Sequence, residues 1–286
     1  MPTFSADNKM QTSRISASSY SNTAPLVWSF LYGKNRGHAE LIMDTAPARS
    51  AELLAQDRVD AALVPVIAYQ MIDGVRMIPD VCVGARTRVR SVCLVTNGMD
   101  LSDVRSVSLD VSSRTSVALT KVIFREFLGF EPEWKDAEPE IESMLVDSDA
   151  ALLIGDPALK IADRGLRIAD SQTEDPRPKT EVRKFDLAEL WHQHTGLGFV
   201  FAMWMTRREN VSIDFASARD EGLAHIDEIV ANYQSDIHLG PGEMRDYLSN
   251  NISYSIDPAM EQGMELFFRL AAKHRLIDRN RPVNFI

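Results

Sequence analysis

Short β-rich runs alternate with stretches of helical period along most of the chain. RISASSY (14–20) predicts a strand and NTAPLVWSFLYG (22–33) a helix with an apolar stripe. AELIMDT (39–45) and ARSAELLAQDRV (48–59) repeat that pair, and AALVPVIAY (61–69) predicts a buried third strand. The β-α-β-α-β order indicates a mostly parallel sheet covered by helices. VCVGARTRVRSVCLVTNGM (81–99) then forms a long extended run without helical period. Beyond it the pattern restarts, with strands at VRSVSLDV (104–111), EPEWKDA (131–137) and AALLIGD (150–156) and helices at SSRTSVALTKVIFREFLG (112–129), stopped by Gly129, and at EIESMLVD (140–147). DLAELWHQHTG (186–196) predicts a further helix and GFVFAMWMTRR (198–208) a second long extended run; from residue 213 onward the pattern is almost wholly helical.

Two long extended runs around an inner β-α unit predict two α/β lobes. Residues 1–95 with 200–286 form the first, and residues 96–199 are inserted as the second. A chain that crosses twice between lobes makes a hinge, and a ligand belongs in the cleft between them. The acidic, proline-containing segment SQTEDPRPKTEVRKF (171–185) predicts a surface loop on the inserted lobe.

Composition narrows the partners. A hydrophobic content of 45% excludes a disordered chain. Thirty-one basic against 41 acidic residues leave a net charge of −10, which speaks against a nucleic-acid binder. The apolar runs are too short to span a bilayer, and the polar start MPTFSADNKMQTSR offers no signal-peptide core, so no membrane partner and a cytoplasmic location are expected. Cys82 and Cys93 are too few for a disulfide framework. His192 and His194 stand two apart in a helix and so do not share a face, which argues against a metal pair. GLG (196–198) follows a helix where a dinucleotide fingerprint follows a strand, and no phosphate-binding loop or nucleophile elbow occurs, so neither metal nor cofactor is expected.

The strongest candidate chemistry is SSRTS, comprising Ser112, Ser113, Arg114, Thr115 and Ser116, between a strand and a helix. A helix start presents unpaired N–H groups and favours anions. Ser112 or Ser113 can cap it, and Arg114 adds a planar cation suited to a carboxylate. An ordinary serine-capped helix with a solvated arginine is the plain alternative. In SYSNTAPL (19–26), Asn22 or Thr23 can cap the next helix with Pro25 in its first turn, and the carboxyl end of a strand brings Asn22 to the cleft mouth. On the extended run, Arg86, Arg88 and Arg90 share one face and must meet solvent or acidic neighbours, which turns Ser91 inward at the hinge. Gly155 and Asp156 end a buried strand, where the backbone can approach a ligand or simply turn.

Taken in order, SYSNTAPL, RSVCLVT, LDVSSRTSVAL, ALLIGDPAL and GFVFAMW resemble the MqnA family, the chorismate dehydratases of the futalosine route to menaquinone, across most of residues 14–205. The resemblance implies the type II periplasmic-binding-protein fold and the dehydration of chorismate to 3-[(1-carboxyvinyl)oxy]benzoate. It assigns Asn22 and Ser91 as catalytic groups, with the SSRTS residues, Gly155 and Asp156 binding substrate. The family carries a larger apolar residue where Ser21 stands, and often a Gly-Pro pair before the hinge strand, where this chain reads ARTRVRSV. The sister dihydroxynaphthoate synthase (MqnD) shares the fold but lacks the SY-NT arrangement. Chorismate is a dianion whose ring aromatises once the C3 proton and C4 hydroxyl leave, so the protein has to hold, orient and keep dry. The expected site is therefore a serine-lined pocket with a guanidinium. No matched motif offers a His, Glu or Lys as base, which leads to the hypothesis that the substrate's own enolpyruvyl carboxylate takes the proton while Asn22 positions it. Other classes are a solute receptor of the same fold and the sensing domain of a transcriptional regulator; the first normally carries an export signal and the second a helix-turn-helix.

Overall fold

The structure is a computed structural model that describes residues 12–161, 182–237 and 239–286. The first sheet contains β1 (Ser13–Ser18), β2 (Ala39–Asp44), β3 (Ala61–Pro65) and β4 (Arg76–Ala85). The second contains β5 (Val92–Thr96), β6 (Ser106–Asp110), β7 (Glu133–Ala137), β8 (Ala150–Ile154) and β9 (Arg183–Asp186), after which β10 (Phe199–Thr206) returns to the first. The orders are β2-β1-β3-β10-β4 and β7-β6-β8-β5-β9. Each sheet is thus built alike: a three-stranded parallel unit centred on β1 or β6, completed by β10 or β5 running antiparallel.

Helices cover these sheets as the periodicity requires. In the first lobe they are α1 (Ala24–Leu31), α2 (Pro47–Ala55) and the short α3 (Ala68–Met71). The second holds α4 (Arg114–Val122), α5 (Ile141–Asp147), α6 (Gly155–Lys160) and α7 (Leu187–Thr195). The C-terminal part supplies α8 (Phe215–Ala224), α9 (Ile226–Ile237), α10 (Pro241–Asp246) and α11 (Pro258–Lys273). Proline opens α10 and α11, where its missing N–H is harmless, and Asp257 caps α11 through the Met260 amide. Two π-helical turns extend helices: Ile123–Leu128 after α4, ended by Gly129 in the left-handed region, and Tyr247–Asn251 after α10. No helix among the described residues is long and apolar enough to cross a membrane.

Burial follows strand alternation. Val92 and Leu94 of β5, with Leu152 and Ile154 of β8, join the main apolar cluster, which runs through both lobes. Cys93 and Val95, with Ala151 and Leu153, face the opposite side of the sheet under α5. Both faces are covered, so these runs read as continuously apolar.

The first long extended run is two strands, not one. The chain leaves the first sheet at Ala85 and joins the second at Val92, so β5 belongs to the inserted lobe ahead of the boundary expected at residue 95. Residues 86–91 bend between them, with Arg90 in the left-handed region at φ +63. The cause lies about 100 residues away: the buried Asp186 carboxylate accepts from the amides of Val89 (3.0 Å) and Arg90 (2.6 Å) while capping α7 through Ala188 and Glu189. The three arginines meet acids as expected: Arg86 bonds Asp257 at 2.8 Å, Arg90 reaches Glu243, and Arg88 lies 3.8 Å from Asp186. Of the expected surface loop at 171–185, residues up to 181 lie outside the described ones, and Arg183–Phe185 form the edge strand β9 instead.

Candidate active site

Both parallel units point the carboxyl ends of their strands at one another. β1 ends at Ser18 and β3 at Pro65 on one side, β6 at Asp110 and β8 at Ile154 on the other. Crevices of open α/β sheets form at such ends, and a cleft of about 510 Å³, counted with its open mouth, lies there. Its walls are apolar: Leu63, Val83 and Phe201 from the first lobe, Val92 and Ile154 from the second. Set into them are Ser18, Asn22 and Thr23 against Ser113, Thr115 and Ser116. Tyr20 is the one titratable side chain on this lining among the described residues. Its phenol is pushed up to about 12, by burial first, with the charges of Asp110 and Asp156 adding and a bond to Ser112 opposing. It therefore stays protonated at neutral pH and acts as a donor.

The second lobe contributes the start of α4. Ser113 is the cap, its Oγ accepting from the Ser116 amide at 3.3 Å. Thr115 turns across the cleft, where its Oγ1 accepts the Ile67 amide at 3.3 Å. Ser113, Thr115 and Ser116 line the cleft, so the expected serine-rich wall exists, carrying the N-terminal partial positive charge of a nine-residue helix. Two members of the motif behave differently. The Ser112 hydroxyl and amide turn back to Asp110 Oδ1 at 2.6 and 2.9 Å, closing an Asx turn. Arg114 does not line the cleft: its guanidinium lies 3.5 Å from Glu52 on α2, with both side chains about 40% exposed. The guanidinium expected to grip the ligand is thus held by Glu52 and does not stand on the described lining. Position one of α4 faces the other lobe, and Glu52 there draws the cation to the rim.

Asp156, expected beside the substrate, is not on the described lining and is engaged by the other lobe. Its carboxylate takes the Ser21 hydroxyl at 2.6 Å and the Ser21 amide at 3.1 and 3.2 Å, so it bridges the lobes. A second carboxylate facing a dianion would repel it, whereas Ser21 supplies two donors. Gly155 does line the cleft. At φ +60 it holds a conformation that favours glycine, and a β-carbon there would stand 2.8 Å from the Tyr20 ring.

Asn22 sits on the lining within a 3₁₀ turn, Ser21–Thr23, between β1 and α1. Neither Asn22 nor Thr23 caps α1 through its side chain: the Thr23 hydroxyl donates back to the carbonyls of Ser18 (2.6 Å) and Tyr20 (2.8 Å). Ser91 points inward, fully buried, just behind the lining residue Val92. Its carbonyl accepts the Gly155 amide at 2.7 Å, tying the hinge to the second lobe. Its hydroxyl makes a long 3.4 Å contact with the Val89 carbonyl and faces the Tyr247 phenol, as Asn22 does. Nothing in the local sequence marks Tyr247, an aromatic at helical spacing. Tyr20 lies inside the SY-NT motif and could have been singled out there.

His192 and His194 diverge, one ring nitrogen 3.2 Å from the Leu197 carbonyl and the other ring stacked on Phe127. Among the described residues no group of three or more His, Cys, Asp or Glu is placed to hold a metal ion.

Among solved structures, a protein of Archaeoglobus fulgidus superposes with a TM-score of 0.68 at 15% identity, over 93% of this chain and 98% of that one. The periplasmic aliphatic sulphonate binding protein of Escherichia coli does so at 0.60 and 13%, over 96% and 93%. The fold is thus periplasmic-binding-protein-like, two α/β lobes around a cleft. In sequence the chain is 32% identical over 254 residues to a chorismate dehydratase of Thermus thermophilus, covering 87% of this chain and 91% of that relative. It matches the family described as menaquinone biosynthesis over residues 13–273, which takes in both lobes and the whole cleft lining: the chain belongs to that menaquinone-biosynthesis family.

Proposed function

We propose that the protein is a chorismate dehydratase, a hydro-lyase of the cytoplasm that converts chorismate to 3-[(1-carboxyvinyl)oxy]benzoate and water. The observation that carries this reading is a cleft lined by neutral hydroxyls, an amide and a helix start, in a chain 32% identical to an enzyme of that name. The start of α4, with Ser113, Thr115 and Ser116, holds one carboxylate of the dianion. Asn22, on the opposite wall, orients the enolpyruvyl arm, and Ser91 at the hinge completes the polar set through the leaving hydroxyl.

The reaction removes the ring C3 proton and the C4 hydroxyl, and the electron pair released at C3 completes the aromatic ring as water departs. No carboxylate or imidazole stands on the described lining, and the Tyr20 phenol holds its proton. The reading therefore keeps the substrate's enolpyruvyl carboxylate as the base and gives the protein the work of holding the reactive conformer. Mixing protein with chorismate and following absorbance and mass tests it: a product lighter by one water with a benzoate spectrum is expected. Tight binding of unchanged chorismate would make the protein a receptor instead. The Asn22→Ala variant is expected to lose about a hundredfold or more in kcat/KM, and full activity in it would remove Asn22 from the mechanism.

A further inference from the structure

Tyr247 lies in a part of the chain that the sequence reads as ordinary helical core. Its side chain is completely buried. A phenol so placed normally has a hydrogen-bond partner, because an unpaired buried hydroxyl is costly. The Tyr247 hydroxyl has no well-aligned partner among the described residues, and the polar side chains it faces are those of Ser91 and Asn22. Apart from Tyr247, the Ser91 hydroxyl meets among the described residues only the Val89 carbonyl, at a long 3.4 Å. Three separate segments, the turn after β1, the hinge before β5 and the C-terminal helices, thus bring one amide, one hydroxyl and one phenol together at the cleft wall, with Asn22 on its lining.

The backbone is shaped for this meeting. Tyr247 opens the π-helical turn Tyr247–Asn251, directly after α10. Such a turn widens the helix and re-aims its side chains, and it recurs at functional sites. Burial pushes the phenol well above its ordinary value, so it is a donor throughout the working pH range. A second buried phenol, Tyr254, also has no well-aligned partner among the described residues and lies within electrostatic reach of Tyr247, while neither Ser91 nor Asn22 acts on it.

We propose that Tyr247 is a positioning residue, whose hydroxyl aligns with Ser91 and Asn22 when substrate draws those groups toward the cleft and so fixes their directions. The inference rests on the assignment of Ser91 and Asn22 to the reaction. It assigns the C-terminal segment a part in catalysis: a hydroxyl without a well-aligned partner among the described residues is a cost to folding that the reaction uses.

Tyr247→Phe removes that oxygen alone. Expected are a kcat lower by about tenfold or more with KM changed less than about twofold, and a Tm unchanged or raised by about 2 °C. A tyrosine serving only the core would leave kcat untouched. Tyr254→Phe serves as control and keeps kcat within about twofold, since its hydroxyl does not face the two site residues. Adding Ser91→Ala to Tyr247→Phe costs less than the product of the two single losses, because one acts through the other. If Ser91→Ala and Asn22→Ala lower activity while Tyr247→Phe retains full kcat, the positioning role is overturned and the proposed function stands. If all three stay fully active, the assignment of Ser91 and Asn22 fails as well.

Discussion

Asp110, the last residue of β6, is fully buried beside the cleft yet does not line it. One carboxyl oxygen takes both donors of Ser112, while the other has no well-aligned partner among the described residues. Burial raises its pKa above the ordinary carboxylate range, and the bonds from Ser112 and the Ile154 backbone oppose that only in part. The folded state thus holds the proton more tightly than the unfolded chain does. The resulting stabilisation is complete below about pH 4, where the unfolded group titrates, and is lost as pH rises through the elevated folded value. Asp110→Asn keeps an acceptor for Ser112 and removes the titration. Its Tm relative to the natural protein is therefore expected to climb from acid toward neutral pH, and Tm curves running parallel from pH 3 to 7 would exclude a raised Asp110. At this scale the sequence was legible where the partner is local. The Ser113 cap needs only the amide three residues on. Ser112 carried the same cap signal, but its hydroxyl was claimed by Asp110, two residues back.

The same contrast recurs in whole elements. Strand and helix positions followed from periodicity because a covered parallel sheet writes its apolar runs plainly. The bend at 86–91 left no such trace, since Asp186 imposes it from a distant helix cap and an arginine occupies the left-handed position. At α4 the sequence located the cleft wall but not the heading of Arg114, which depends on Glu52 of the other lobe. The geometry separates the members of SSRTS in a measurable way. Arg114→Gln gives up a half-exposed ion pair of about 0.5 kcal/mol and is expected to shift KM for chorismate by less than about threefold. Thr115→Val keeps the shape but removes both a cleft hydroxyl and the acceptor for the Ile67 amide, and should raise KM by about tenfold, in line with one hydrogen bond lost and one donor stranded. A larger effect from Arg114 than from Thr115 would return the guanidinium to the site.

Across the molecule, the lobes meet by contacts on both rims of the cleft: Thr115 to Ile67 and Arg114 to Glu52 on one, Ser21 to Asp156 with Tyr20 against Gly155 on the other. The second rim is the stronger, because a half-buried carboxylate receives an amide and a hydroxyl there, and charge-assisted bonds are roughly twice as strong as neutral ones. In the Ser21–Asp156 bridge the Ser21 side chain adds a hydroxyl donor to the one its backbone amide already gives. Loss of the bridge, at about 1.5–3 kcal/mol, would shift the balance between closed and open lobes by roughly ten- to a hundredfold. A substrate that binds the closed form then meets a smaller competent fraction, whereas the chemical step, once the lobes have closed, is unaffected. Asp156→Ala is therefore expected to raise KM about tenfold or more while kcat at saturation changes less than about threefold. The radius of gyration of the free protein in small-angle X-ray scattering should rise and return when chorismate is added. An equal fall in kcat with KM unmoved would instead place Asp156 in the transition state, and unchanged scattering with unchanged KM would show that the Ser21 bridge does not hold the lobes together.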